Sequence, residues 1–262
     1  MPVVRLAHEE DHDGWRAGAR ALAAGGVAAD LVSWRVGDQP GDLFGGKAMP
    51  PEPASQPFPV PKRFLDLSRQ AICHSDGERF SLLYALLLRL RAEPKAIDDE
   101  ADALVRRLAL MAKDVRRDMH KMHAFVRFRE VTAEGAEPRY VAWFEPDHHI
   151  VRANAGFFVR RFANMAWSIL TPELSIHWDG NTLTESPGAV RADAPGGDPV
   201  EEVWKTYYAS IFNPARVKTR AMLKEMPKKY WKNMPETGLV APLLAGARAR
   251  VDAMLEKAAD GR

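Results

Sequence analysis

AFVRFREV (124–131), YVAWFEPDHHIV (140–151), FFVRRFANM (157–165), WSILTP (167–172) and LSIHWDG (174–180) decide how this sequence is read. In the first, Phe125, Arg127 and Arg129 alternate with Val126, Phe128 and Glu130, which is the two-residue period of a strand. A Glu-Gly pair separates it from the second and predicts a hairpin; an Asp-Gly pair ends the fifth and predicts another tight turn. FFVRRFANM reads as a short helix between two pairs of strands. The predicted unit is β-β-α-β-β, an antiparallel sheet with a crossing helix, in an α+β fold whose remaining helices surround the sheet.

Working outward, residues 62–123 carry helical periodicity. KRFLDLSRQAICH has Phe64, Leu67, Ala71 and Ile72 near helical spacing. Asp76 is placed to cap a second helix, GERFSLLYALLLRLRA, which is apolar around most of its circumference and is expected to be buried. A third helix is predicted from about residue 98 to 122, with Leu104, Leu108, Met111 and Val115 as its stripe. Before this body, residues 1–36 read as strand, helix, strand. The helix has Asp13 as N-cap and Gly25-Gly26 as its stop. Residues 37–61 are dense in Gly and Pro and read as a linker. Residues 181–199 read as a loop, 200–233 and 236–258 as helices. The expected organisation is therefore a βαβ-like N-terminal segment (1–36), a linker (37–61) and a main α+β domain (62–258).

The chain has 262 residues, 46% of them hydrophobic and 27% charged, a balance that supports a sizeable core and excludes wholesale disorder. The formal net charge is only +2, but it is unevenly spread. Residues 1–60 hold eight acids against five Lys/Arg, whereas 203–232 hold eight Lys/Arg against one acid, which points to a polyanion-facing surface late in the chain. A single cysteine, Cys73, excludes an intramolecular disulfide and any zinc or iron–sulfur site built from cysteines alone. The N-terminus lacks the pattern of a secretory signal and no apolar run is long enough to span a bilayer, so the expectation is a cytoplasmic protein without membrane contact.

Three constellations bear on chemistry. In DVRRDMHKMHAFVRFRE (114–130), helical spacing brings Arg116, Arg117, His120 and Lys121 onto adjoining faces, and Arg127 and Arg129 share one face of the strand expected next. Such a patch suits phosphate; its plain alternative is pairing with Asp114 and Asp118 on a solvated helix. In FEPDHHI (144–150), His148 with Glu145 or Asp147 forms a candidate acid–base group. These residues, with His120 and His123, are also a conceivable zinc or iron ligand set, although no HExxH-like spacing is present. In FNPARVKTRAMLKEMPKKYWKNMPE (212–236), Arg216, Lys218, Arg220, Lys224, Lys228, Lys229 and Lys232 surround Tyr230 and Trp231, a mixture able to hold a backbone and stack on unpaired bases. Cys73 and His74 are neighbours that a helix turns apart, and Cys73 reads as core. There is no G-x-S-x-G, P-loop or G-x-G-x-x-G motif, and no cofactor is predicted.

RDMHKMHAFVRFRE, YVAWFEPDHHIV, FFVRRFANMAWSILTP, YYASIFNPARVK and MPKKYWKNMPE, in this order, resemble a bacterial domain of unknown function labelled as a DNA metabolism or DNA repair protein. The resemblance covers about residues 62–255. Members of that family occur fused to, or encoded beside, proteins of the uracil-DNA glycosylase family X type, and they accompany a DNA-repair radical-SAM protein. DHDGWRAGARALAAGGVAADLVSW looks like the leader of the fused versions. The resemblance implies DNA and a glycosylase-like or radical-SAM partner. It supplies no catalytic residues, and uracil excision is not carried over, because these 262 residues contain no glycosylase domain. The resulting expectation is a DNA-binding accessory or repair module. The alternatives are an enzyme acting on DNA or nucleotides through His120, Glu145, Asp147 and His148, and a protein-interaction scaffold.

Overall fold

A computed structural model describes residues 1–37, 59–131, 138–194, 219–243 and 245–246. The chain is α+β and forms two compact units: residues 1–124 with 146–161, and the described residues of 125–145 with those from 162 onward.

The first unit begins with a βαβ element. Strands β1 (Val3–Leu6) and β2 (Ser33–Val36) pair in parallel, and helix α1 (His12–Ala24) connects them. The N-cap of α1 is Asp11, not Asp13: its carboxylate accepts the Gly14 N–H at 2.8 Å, which leaves Asp13 exposed in the first turn. A Cβ at Gly18 would lie 2.6 Å from Val4 Cγ1, so α1 packs on β1 at a distance only glycine permits. The helix stops at Gly25, followed by Gly26 at φ 68°. Helices α2 (Lys62–Ala71) and α3 (Arg79–Ala92) complete an aromatic core in which Trp15 packs on Trp34 and Phe64, and Trp34 on Phe80 and Tyr84. As its composition predicts, α3 is buried around most of its circumference, through Phe80, Leu83, Tyr84, Leu86, Leu87 and Leu90.

Helix α4 (Ala103–Phe125) is displaced from the predicted span at both ends. A 3-10 turn, Pro94–Asp98, precedes it, and Asp102 caps it by accepting the N–H groups of Leu104 and Val105. It also runs through Ala124 and Phe125, where the alternating pattern predicts a strand. Nothing between Val115 and Phe125 stops a helix, and the buried stripe of Val105, Leu108, Ala112, Val115 and Met122 continues at helical spacing. Helix α5 (Val151–Arg161) starts six residues before FFVRRF.

The second unit holds a five-stranded sheet of order β3-β4-β5-β6-β7, with β3 (Arg129–Val131), β4 (Arg139–Trp143), β5 (Ala166–Leu170), β6 (Leu174–Trp178) and β7 (Leu183–Pro187). It is mostly antiparallel. The exception is β4 with β5, which pair in parallel from Arg139↔Ala166 to Trp143↔Leu170. A parallel neighbour needs a long connection, and 144–165 provides one, most of it lying in the first unit. Strand β7 falls where the sequence predicts a loop. LTESP is a mostly exposed edge strand with no apolar alternation to reveal it; it is folded back by the Asp179 turn, in which Gly180 has φ 101°. The sheet packs through Trp167, Ile169 and Ile176, with Phe128 against Phe162 and Trp167.

The helices predicted across 200–233 and 236–258 are broken among the described residues. A short helix, α6 (Thr219–Glu225), gives way to 3-10 turns at Lys228–Asn233 and Pro235–Leu239. Pro227 and Pro235 remove backbone donors and disfavour helix at the residues before them. No helix among the described residues is long and apolar enough to cross a membrane.

Candidate functional site

The FEPDHHI segment is organised by a carboxylate that sequence pattern alone would leave in solvent. Asp118 is buried at 4% exposure on α4, and its Oδ2 accepts the N–H groups of Asp147 (2.7 Å) and His148 (3.0 Å). A buried charge persists when it is hydrogen-bonded, and here it holds the 146–150 turn from beneath. The same turn is tied to the α2–α3 connection. The His149 N–H donates to Cys73 O at 2.8 Å, and His148 Nδ1 accepts the Ser75 N–H at 3.3 Å with Ser75 Oγ at 3.1 Å. Arg152 reaches Glu10 at 2.9 Å. Arg79, 2% exposed, donates to Ile72 O, Asp76 O and Glu9 O and pairs with the Glu9 carboxylate, so its charge is fully used within the unit.

This packing sets His148 against His74, with ring centroids 4.2 Å apart. His74 Nδ1 accepts the Asp76 N–H at 3.0 Å. Each Nδ1 therefore faces a backbone donor, an arrangement that favours the Nε2–H tautomer of a neutral ring. Burial pushes the His74 pKa below its ordinary value, and the neighbouring His148 adds to this, partly opposed by Asp76 and Asp114. Cys73 beside His74 is no nucleophile: burial pushes its thiol up to about 12.

The candidate acid–base residues fall in both units. His148 has His74 and Ser75 as neighbours. Asp147 is exposed, and its backbone, not its side chain, meets Asp118. The Glu145 carboxylate accepts the Trp143 indole N–H at 2.9 Å within the second unit. His120 is exposed on α4, whereas His123 lies 2.9 Å from Asn154 Oδ1 and stacks on Phe157 at 3.8 Å, so the two do not form a ligand pair. Among the described residues no group of three or more His, Cys, Asp or Glu side chains is placed to hold a metal ion.

The basic candidates fall into different settings. Arg116 and Arg117 are exposed on α4, Arg116 donating to Gln70 Oε1, and Lys121 is half-buried. Arg127 and Arg129 line one concavity of the second unit with Arg191, Phe125, Val141 and Trp143. Arg191, in a 3-10 turn after β7, has no signal in the sequence beyond its charge. Lys228 and Lys229 are exposed, with Lys229 Nζ 4.5 Å from the Tyr230 ring centroid. Tyr230 itself is a correction. It is 3% exposed, stacked on Phe144 and packed on Phe125, so it is a core residue and not a platform for bases. Trp231 is half-buried and donates to Met226 O. Arg216 and Lys218 lie outside the described residues.

The fold and these clusters define an α+β protein with an ordered histidine-bearing turn in one unit and an arginine-lined concavity in the other. The chain belongs to the family described as Domain of unknown function (DUF4130), which it matches over residues 77–236, a span that includes both clusters apart from Cys73 to Asp76 and the β1–α1 loop. No curated protein and no solved structure matches it.

Proposed function

We propose that this protein is a DNA-binding accessory or repair module that engages the phosphate backbone and works beside a glycosylase-like or radical-SAM enzyme. The observation that carries the reading is the meeting of Arg127, Arg129 and Arg191 around one concavity. Its enclosed volume of about 10 Å3 is the size of one water or one phosphate oxygen and far too small for a base, so the chemistry on offer is backbone contact rather than base capture. Guanidinium groups hold phosphate oxygens in a planar fork, and the exposed Lys228 and Lys229 add charge in the same unit. The partner class rests on the resemblance of residues 62–255 to chains that accompany such enzymes.

The test is fluorescence anisotropy with DNA oligonucleotides across a salt series. Binding should weaken steeply with salt. The pair Arg127→Ala with Arg191→Ala should lower the salt slope by about 2, roughly one for each phosphate that no longer meets an arginine. An affinity indifferent to salt, or unchanged in that variant, refutes the reading.

A further inference from the structure

In the first unit, α1, α2 and α3 enclose a second cavity of about 200 Å3. Its floor is Trp15, Phe64, Leu65 and Leu87, the first two at 1% exposure. The Trp15 indole N–H is already donated to Phe80 O, so the ring offers the cavity only its apolar surface. Arg16 and Arg20 stand at the rim, one helical turn apart on the same face of α1 and in line with His12.

Two features distinguish this cavity from a packing defect. The first is size: an apolar cavity of roughly 150 Å3 admits benzene, so this one accommodates a single ring system with substituents. The second is charge. Arg79, Arg89 and Arg107 of the same unit each have a carboxylate partner. The side chains of Arg16 and Arg20, by contrast, make no hydrogen bond or ion pair with any described residue. Like charges one turn apart repel. Burial together with Arg69 lowers the His12 pKa, and His12 is engaged with Ser68 Oγ at 2.9 Å, so the positive charge of the rim comes from the two arginines.

We propose that this cavity binds a small aromatic anion, its ring seated on Trp15, Phe64 and Leu87 and its carboxylate or phosphate monoester group held by Arg16 and Arg20. The site is independent of the DNA reading.

Isothermal titration calorimetry of the full chain with phenylacetate, phenyl phosphate, neutral benzyl alcohol and inorganic phosphate tests it. At least one of the two aromatic anions should bind, about tenfold or more tighter than benzyl alcohol and than inorganic phosphate. Which of the two binds tighter distinguishes the carboxylate from the phosphate monoester. Arg16→Gln with Arg20→Gln, both exposed, should weaken the anion by about tenfold while leaving the thermal unfolding temperature unchanged. Leu65→Trp, which fills the cavity from a half-buried position, should abolish ring binding. The proposal is overturned if neither aromatic anion binds at millimolar concentration, if benzyl alcohol or inorganic phosphate binds as tightly, or if the arginine variant keeps full affinity.

Discussion

Asp118→Ala tests whether the 146–150 turn is held from α4. Asp118 Oδ2 accepts two successive backbone N–H groups, at 2.7 and 3.0 Å, in a position 4% exposed. Hydrogen bonds to a charged acceptor contribute about 1.5–3 kcal/mol each, so the pair represents about 3–6 kcal/mol. Two effects reduce that figure. Asp147 is itself exposed, so water can reach part of the turn once the carboxylate is gone, and removing a buried charge recovers some desolvation cost. The expected loss is about 2–4 kcal/mol. Asp118→Asn keeps size and an acceptor oxygen but loses the charge; neutral bonds contribute about 0.5–1.5 kcal/mol each, so it should fall between wild type and alanine. Urea unfolding measures the total, and native-state amide exchange localises it: the Asp147 and His148 amides should lose protection first. A change in stability below about 0.5 kcal/mol, with unaltered exchange at those two amides, refutes the argument, because it is the level expected of an ordinary surface substitution.

Gly188→Ala should destabilise by about 1–3 kcal/mol in a thermal melt, because its Cβ would lie 1.9 Å from Pro172 O and 2.5 Å from the carbonyl carbon, both backbone, while Gly77→Ala, with nothing within 4 Å, should be near neutral. The Cys73 thiol, buried and pushed up to about 12, should react with a disulfide reagent at pH 8 only as fast as the protein opens; stoichiometric reaction of the native chain within the mixing time contradicts this. His12, His74, His123 and His177 all have pKa values lowered from 6.5, burial being the first cause in each, so the folded protein binds fewer protons than the unfolded chain. Their stabilisation is complete above pH 6.5 and is lost as pH falls from there through the lowered folded values; urea midpoints that do not decline over that window contradict the shifts.

Local rules read the helices and the central strands well, and their failures have physical causes. The apolar circumference of α3, the βαβ start and the strands YVAW, WSIL and LSIHW follow from periodicity, because each has one face or a whole surface committed to the core. Phe125 defeats the pattern because F-V-R-F-R alternates as a strand would while its first residue also continues the buried stripe of α4, and helix propagation prevails. Strand β7 is invisible because an exposed edge carries no hydrophobic alternation. At the candidate sites, residue type is legible and partner is not. A carboxylate between basic neighbours reads as a surface ion-pair partner, and only the tertiary arrangement shows Asp118 turned toward the amides of Asp147 and His148. Tyr230 among lysines reads as a stacking platform, yet the ring of a tyrosine is also a large apolar surface that can reach Phe125 and Phe144.

Charge is therefore a poor guide to ligand contact in this protein until each ion is assigned its partner. Arg79 and Asp118 are charged and almost fully buried, and both are engaged internally: one joins the β1–α1 loop to the α2–α3 turn, the other holds the histidine-bearing turn. Their removal should unfold or loosen the first unit and would mimic loss of function without revealing any. Other cations stand at concave surfaces: Arg16 and Arg20 over an aromatic floor in one unit, and Arg127, Arg129 and Arg191 around a phosphate-oxygen-sized notch in the other. The two settings differ in what they can hold. On the DNA-binding proposal, a notch of about 10 Å3 would admit an oxygen and leave the rest of the polyanion in solvent, and affinity would fall steeply with salt. A cavity of about 200 Å3 with an apolar floor encloses a ring, so part of its affinity comes from burial and survives at high salt. Salt dependence thus separates the two surfaces in the same preparation, without any variant.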